Sequence, residues 1–305
     1  MTAGAASAVS VMDVGGTHVT AARVDVAAGG PSLGPSFREP LDAAGSADDI
    51  VSALVRCAGR LPGPAGNHWA VALPGPFDYE HGIGRYEGVG KFDALRGFDL
   101  CAALTARLPG RPTVGFCNDA DAFVVGEWQA GAARGHRTVA GITLGTGVGS
   151  CFLRDGTIVR HGDGIPPEGC VHLLQHDGRP LEETVSRRAL RRAYAQAAGQ
   201  SGGPDVREIA ERARQGDGIA GRVLTQAFHA LGRALGPLLA AFGPEVLVIG
   251  GSIAASWDVV APPLRDGIAD AGPGAARVIV APAQLPAQAP LLGAAQLAGP
   301  RVRVP

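Results

Sequence analysis

Hydrophobic and polar positions along this chain switch between the period of a strand and the period of a helix. Val9, Val11 and Met12 begin a short buried strand that ends in Asp13. Gly15-Gly16 then makes a tight turn and residues 18–26 form a second strand, so the chain opens on a hairpin. Residues 27–45 are rich in Gly and Pro and read as connection. Ser46 is placed to cap a helix whose first turn holds Asp48 and Asp49. Ile50, Val51, Leu54, Val55, Ala58 and Leu61 give that helix one apolar face, and Pro62-Gly63-Pro64 ends it. Residues 69–73 form a buried strand that stops at Pro74-Gly75-Pro76. Residues 77–98 show little period and read as a long ordered loop, a common setting for ligand contacts. A helix around residues 100–108 leads to a strand over residues 112–116. That strand runs into Asn118-Asp119 and a helix over residues 120–133.

The second half repeats the opening device. Residues 141–153 read as strand, glycine turn (Gly145-Thr146-Gly147) and strand. Two such hairpins suggest a chain built twice, with a cleft between its halves. Asp155-Gly156 is a hairpin turn, and residues 161–177, with Glu168 and His172, are irregular. A helix begins near Leu181, and Arg187, Arg188, Arg191 and Arg192 share one of its faces, which reads as solvated. After a loop over residues 199–204 come a short amphipathic helix (206–214) and a longer core-facing one marked by Leu224, Phe228, Leu231, Leu235, Leu238 and Phe242. A buried strand over residues 245–250 opens into Gly250-Gly251-Ser252. A further strand (277–281) and a terminal helix (291–298) complete the reading.

Composition narrows the class. The 305 residues suffice for two α/β domains, and with 46% hydrophobic and 18% charged residues a sizeable core is expected. The formal net charge of −1, without a long basic run, argues against nucleic acid as the main partner. Five dispersed cysteines form no CxxC pair and read as small buried residues of a reducing compartment. The N-terminal residues lack a basic n-region, and no stretch is long and apolar enough to span a membrane. A cytoplasmic protein with no membrane partner is expected.

The candidate chemistry lies at strand ends. Asp119 sits where a strand passes into a helix, the position at which α/β sheets bind ligands. Alone it reads as a helix cap; beside two glycine hairpins it reads as a catalytic base. Gly15, Gly16 and Thr17 offer amides and a hydroxyl to a nucleotide triphosphate, and Asp13 could hold Mg²⁺ directly or through water. Glu168 reads as a ligand contact or a solvated loop acid, and His172 as a ligand contact or a plain hydrogen-bonded histidine. Glu127 could reach the cleft or lie at the edge of the core, and the latter is favoured. Cys170 reads as a small packed residue.

At this point the chain resembles the ROK-family sugar kinases, within the actin-like ATPase superfamily that includes hexokinases. Asp13-Val14-Gly15-Gly16-Thr17 resembles the first phosphate motif and Asn118-Asp119 the catalytic pair. Gly145-Thr146-Gly147-Val148-Gly149 resembles the second phosphate motif, Val248-Ile249-Gly250-Gly251-Ser252 the adenosine motif, and Leu292-Gly293-Ala294-Ala295 the closing helix. The resemblance implies a two-lobed α/β fold of the ribonuclease H-like kind with a central cleft. It implies lobes of residues 1–117 and 118–289, with a helix over 290–305 packing back on the first. It further implies that ATP is the donor, bound with Mg²⁺, and that Asp119 takes the proton of a sugar 6-hydroxyl. Asn118, Glu168, His172 and Gly75 would contact the sugar, and Gly250, Gly251 and Ser252 the adenosine. A homodimer is expected.

The departures from the family pattern qualify this. Glu168 and His172 stand one residue further apart than the family's Glu-x-x-His, and Asp121 stands where the family often has Asn. No cysteine follows in the segment 175–182, so no structural zinc is expected. No Asn occupies the loop 88–93, where Lys91 or Asp93 would take its role. The implied acceptor is therefore a glucose-like hexose or an amino-hexose such as kanosamine, with a C7 cyclitol as the alternative. A non-catalytic sugar-binding or gene-regulatory member is the competing class. Only eight residues precede Val9, so the regulators' DNA-binding domain is not expected.

Overall fold

The structure, a computed structural model, describes residues 8–27, 30–63 and 66–299. The expectations for the N-terminal residues 1–7, for Pro64 and for residues 300–305 of the closing helix lie outside the described residues. The chain divides into two compact units, Met1–Ala130 with Ala287–Pro305, and Gly131–Pro286.

The first unit runs β1 (Ala8–Val14), β2 (His18–Ala27), β3 (Gly30–Pro40), α1 (Ala47–Gly59), β4 (His68–Leu73), the two-residue strands β5 (Phe77–Asp78) and β6 (Ile83–Gly84), α2 (Leu100–Arg107), β7 (Thr113–Asn118) and α3 (Asp119–Ala130). Its sheet has the order β3-β2-β1-β4-β7. The β1–β2 and β2–β3 pairs are antiparallel, and β1–β4 and β4–β7 are parallel. The stretch 27–45 is therefore not plain connection. Phe37 faces Ala21 and Leu33 faces Val24 across the ladder, with a register shift between Ala22 and Val24. Pro31 and Pro35 are tolerated because β3 is an edge strand, with one side that needs no partner. Helix α1 starts as the sequence predicts: Ser46 Oγ accepts the Asp49 N–H and Asp49 Oδ2 accepts the Ser46 N–H, both at 3.2 Å.

The terminal helix Ala289–Ala298 belongs to this unit and packs on α3. Glycines allow backbone contact there: a Cβ on Gly293 would lie 1.8 Å from the Ala122 carbonyl, and one on Gly126 2.0 Å from the Ala289 carbonyl. This packing moves the division of the chain from before Asn118 to after Ala130, because α3 stays with the helix it touches.

The second unit runs β8 (Thr138–Leu144), β9 (Val148–Arg154), β10 (Thr157–Ile158), β11 (Gln175–His176), β12 (Arg179–Pro180), α4 (Glu182–Val185), α5 (Arg187–Ala197), α6 (Val206–Arg214), α7 (Gly218–Phe242), β13 (Val246–Gly250), α8 (Trp257–Ala269), α9 (Pro273–Ala276) and β14 (Ile279–Pro282). Its sheet order is β10-β9-β8-β13-β14. The directions follow the first sheet pair for pair: two antiparallel pairs, then two parallel ones. Helix α8 escapes a periodicity reading because Pro262-Pro263 interrupt its apolar face. It packs on α7 through Gly232 and Gly267, whose Cβ positions would fall 2.3 Å from the Leu264 carbonyl and 2.1 Å from the His229 carbonyl. Among the described residues no helix is long and apolar enough to cross a membrane.

Candidate active site

In the first unit, β1 delivers Asp13 to the mouth of the hairpin turn. Gly15 N–H donates to the His18 carbonyl at 2.9 Å, closing the turn, and the Cβ position of Gly16 faces open space. Gly16 and Thr17 are exposed. The sheet register sets Asp13 opposite Ala72 of β4 and Ala72 opposite Cys117 of β7. Two residues past Cys117 in the chain is Asp119. Burial pushes the Asp13 carboxyl up to about 7, the Asp119 charge adds to the rise, and Arg38 opposes it. Asp119 is also raised, chiefly by burial; Lys91 is the main opposing influence, and the Ala120 N–H, 2.8 Å from Asp119 Oδ1, pulls the same way. Burial first, then Asp121, Asp119 and Asp13, push the Cys117 thiol up, so it stays protonated.

The capping role that a lone Asp119 could have played is shared with its neighbour. Asn118 Oδ1 accepts the N–H groups of Ala120 and Asp121 at 3.0 and 3.2 Å. Its Nδ2 donates to Tyr79 Oη at 3.0 Å, and Tyr79 Oη donates to the Leu73 carbonyl at 3.2 Å. Gly75 lies against the same hydroxyl: a Cβ there would be 3.4 Å from Tyr79 Oη. Sequence reading missed Tyr79. The available signal was the set of aromatics in the aperiodic loop, Phe77, Tyr79, Tyr86 and Phe92, which pack ring to ring with one another and with Phe116 of β7 at 5.2–6.3 Å. Tyr86 Oη adds a 2.6 Å bond to the Pro74 carbonyl. Lys91 and Asp93 part company: Lys91 acts on Asp119, while the exposed Asp93 accepts the Val89 and Gly90 N–H groups at 3.2 Å and closes its own loop. Glu127 is fully buried.

In the second unit, Gly145 N–H donates to the Gly147 carbonyl at 3.0 Å, forming the expected turn between β8 and β9. Gly251, at φ 84°, packs where a Cβ would sit 2.2 Å from the Leu144 carbonyl, and the Cβ position of Gly145 is 3.8 Å from Ser252 Oγ. The turns at 145–147 and 250–252, far apart in sequence, thus meet. Glu182, missed by sequence reading, accepts the Val148 N–H at 3.0 Å and lies with Oε2 2.8 Å from the Cβ position of Gly147. Its one signal was a carboxylate at the start of a predicted helix. Glu168 and His172 ride on two successive one-turn helices, Pro167–Gly169 and Val171–Leu173. Glu168 is exposed at φ 53°, a strained backbone for a non-glycine residue. Ser150 of β9 pins the segment: its Oγ donates to the Gly169 carbonyl at 2.5 Å and accepts the Val171 N–H at 3.0 Å.

A match to the ROK family model spans residues 10–300. The chain belongs to the ROK family. It is similar to a glucokinase of Thermotoga maritima, 30% identical over 257 residues, which cover 76% of this chain and 79% of that one. Among solved structures, a ROK-family glucokinase from Streptomyces griseus in complex with glucose and AMPPNP superposes with a TM-score of 0.76 at 27% identity, over 95% of this chain and 99% of that one. A ROK hexokinase from Thermus thermophilus gives 0.75 at 28% identity, over 95% and 97%. The α/β architecture, with its two sheets of one order, is the actin-like ATPase fold of the ROK sugar kinases. The relatives support sugar phosphorylation as the general chemistry.

Among the described residues no cluster of three or more His, Cys, Asp or Glu side chains is placed to hold a metal. That suits Mg²⁺, which keeps several waters and takes one or two carboxylates plus substrate phosphates. Asp13 fits the role: burial chiefly, and then the charge of Asp119, make its ionised carboxyl unfavourable, and a cation would offset both. The open face of Gly16 and the exposed Thr17 hydroxyl fit phosphate oxygens.

Proposed function

We propose that this ROK-family chain is an ATP-dependent sugar kinase that transfers the γ-phosphate to the 6-hydroxyl of a glucose-like hexose or amino-hexose. The observation that carries the reading is the side-chain arrangement at Asn118-Asp119. Asn118 Oδ1 and Asp119 Oδ1 together cap the helix terminus, which leaves Asp119 Oδ2 for the acceptor. Burial raises its proton affinity while Lys91 keeps it from rising further. A carboxylate so poised is a better base than an exposed one.

Each group then has a task. Asp119 orients the acceptor hydroxyl and takes its proton as the oxygen attacks phosphorus. Gly15, Gly16 and Thr17 in the first unit, and Gly145, Thr146 and Gly147 in the second, donate to phosphate oxygens. Gly250, Gly251 and Ser252 receive the adenosine. Asp13 holds Mg²⁺, directly or through water; bound there, the ion supplies charge neutralisation to the phosphates. Asn118, Gly75, Lys91, Glu168 and His172 read the sugar, while Asp93 shapes the loop that carries Lys91. Positioning and neutralisation do most of the work, because phosphoryl transfer passes through a loose transition state. The reading includes a cytoplasmic homodimer without structural zinc.

ADP release measured with glucose, mannose, N-acetylglucosamine, glucosamine, 3-amino-3-deoxyglucose and C7 cyclitols tests the proposal. Stimulation by a hexose or amino-hexose is expected. A response confined to cyclitols moves the acceptor class, and release stimulated by none of them sinks the reading for these substrates.

A further inference from the structure

A row of side chains crosses the first sheet, and its open end has no part in the reaction described above. Arg38 of β3 stands opposite Thr20 of β2, Thr20 opposite Asp13 of β1, Asp13 opposite Ala72 of β4, and Ala72 opposite Cys117 of β7. Directly opposed residues point to one face of a sheet. Met12, Val14, Val19 and Ala21 point to the other face and join the core around α1. The row runs from buried to open: Ala72 and Cys117 are buried, Asp13 and Thr20 half-buried, and Arg38 exposed. Asp13 lies at its middle. Cys117 on one side and Arg38 on the other are each two strand spacings away, about 10 Å. Asp119 follows two residues after the buried end.

The fold makes no visible use of Arg38. Its neighbour Glu39 points to the other face and pairs with Arg60 at 2.6 Å. Arg38 itself forms no ion pair and no side-chain hydrogen bond among the described residues. Its place beside the turn at 15–17 is nevertheless fixed. Leu41 N–H donates to the Thr17 carbonyl at 2.9 Å and Ala43 N–H to the Gly16 carbonyl at 3.3 Å, so the end of β3 is fastened to that turn. The guanidinium rides on a three-methylene stem, long enough to cross one strand spacing of about 5 Å. Its charge is felt at Asp13, whose carboxyl it draws down against burial and Asp119. Lys91 does the same for Asp119. Each of the two acids thus faces a cation from another element of the same unit.

An in-line displacement needs the attacking oxygen, the phosphorus and the leaving oxygen in that order. The row offers the same order in protein groups: the base Asp119 beyond one end, Asp13 in the middle, and an unpaired guanidinium at the other end. We propose that Arg38 is a further catalytic residue, whose guanidinium meets the leaving side of ATP, the β–γ bridging oxygen and the β-phosphate. The inference rests on the sugar-kinase reading. In the transfer, the acceptor oxygen forms a bond to the terminal phosphorus and the bond from that phosphorus to the bridging oxygen breaks. The bonding electron pair stays on the bridging oxygen, which departs as part of the β-phosphate of ADP, and the hydroxyl proton goes to Asp119. In a loose transition state the bond to the leaving oxygen is largely broken, so negative charge has collected there. A fork-shaped cation with two parallel donors suits that oxygen and its neighbours on the β-phosphate.

The test uses the full chain with its best acceptor sugar. Arg38→Ala is expected to melt with the wild type, since the residue is exposed and unpaired. Its kcat is expected to fall about 10²-fold, with the KM for the sugar moved less than about twofold. ADP binding, read by calorimetry, is expected to weaken about tenfold, while AMP, which lacks the β-phosphate, binds as it does to the wild type. Added guanidinium ion should restore part of the turnover of Arg38→Ala and none of that of Asp119→Asn. Arg60→Ala, which removes a charge near the same sheet edge on the other face, is expected to keep wild-type turnover. A wild-type kcat in Arg38→Ala overturns the proposal. So does ADP affinity that stays unchanged or falls in step with that for AMP, or an equal loss of turnover in Arg60→Ala. Loss of turnover without rescue gives Arg38 a structural part and overturns it too. If ATP drives phosphorylation of no acceptor, the kinase reading fails first. ADP binding by the wild type and its selective loss in Arg38→Ala then show that the guanidinium meets a diphosphate, and ADP bound equally by both proteins overturns that contact as well.

Discussion

Asn118 and Tyr79 hold each other in place: Asn118 Nδ2 donates to Tyr79 Oη at 3.0 Å, while Asn118 Oδ1 caps the helix that starts at Asp119. One side chain therefore ties the aromatic loop 77–98 to the strand end that carries the candidate base. Tyr79→Phe removes that tie without emptying the aromatic cluster. It is expected to cost about 1 kcal/mol of stability. It should also raise the sugar KM severalfold with the KM for ATP unchanged. Denaturant midpoints and separate KM measurements check both halves. Asn118→Asp keeps the cap and is expected to retain stability that Asn118→Ala loses, about 1 kcal/mol.

Asp119→Asn should leave the fold intact, since Ala120 N–H can still find an oxygen on residue 119. What it loses is proton affinity. A general base contributes about 10²–10⁴-fold, and a fall in kcat within that range is expected with little change in either KM. Turnover close to wild type would remove Asp119 from the role of base.

Asp13 gives a pH dependence with a definite sign. Its carboxyl rises from 3.8 to about 7 on folding, chiefly through burial. Between those values the folded state binds more protons than the unfolded state, so this group's contribution to stability falls as pH rises through the window. Asp119, also raised, acts in the same direction. Asp13→Asn is therefore expected to stabilise the metal-free protein at pH 7 to 8 by several degrees in Tm, with the gain shrinking toward pH 4. Saturating Mg²⁺ should narrow the gap by stabilising the wild type. Equal melting curves for the two proteins across this range would show that Asp13 bears no such load.

The order of elements was legible because each carries its own period or its own glycine turn. Strand β1, the hairpin at 145–147 and the strand leading to Gly250 announce themselves by apolar runs that stop at glycine. Strand β3 did not, because an edge strand accepts Pro31 and Pro35 and so resembles connection. Helix α8 was hidden by Pro262-Pro263. At the candidate site, the positions at a turn or a strand end were readable as positions: Asp13, Asn118, Asp119 and the glycines of the two hairpin turns stand where the chain pattern put them. Tyr79, Ser150 and Glu182 act by reaching residues 39, 19 and 34 positions away. Spacing along a chain carries no trace of such contacts. Asp93 shows the converse, since a polar residue in a binding loop can spend both oxygens on its own backbone.

Gly293 offers a test of the packing that assigns α3 to the first unit. A Cβ there would lie 1.8 Å from the Ala122 carbonyl, and backbone cannot yield as a side chain does. Gly293→Ala is expected to destabilise the protein by about 1–3 kcal/mol or more. Gly221→Ala, in α7 where nothing lies within 4 Å, should be neutral or stabilising by up to about 1 kcal/mol. Urea midpoints of the two variants separate a packing effect from a general response to losing glycine.

Ser150 bears on sugar recognition from beneath. Its hydroxyl is buried, donates to the Gly169 carbonyl at 2.5 Å and accepts the Val171 N–H at 3.0 Å. Those two bonds flank Cys170 and so hold the joint between the one-turn helix that carries Glu168 at φ 53° and the one that carries His172. A left-handed glutamate is not self-sustaining, so the turn needs that hold. Ser150→Ala leaves two buried backbone groups short of a partner and is expected to cost about 1–3 kcal/mol. The phosphate turn has its own supports, Glu182 on Val148 and Arg187 on Gly145, and should stay put. The sugar KM is therefore expected to rise about tenfold while the KM for ATP holds. Ser150→Thr, which keeps the hydroxyl, should recover most of the sugar affinity. If Ser150→Ala weakened ATP and sugar equally, or left both unchanged, the 168–172 segment would not be the part of this chain that reads the acceptor.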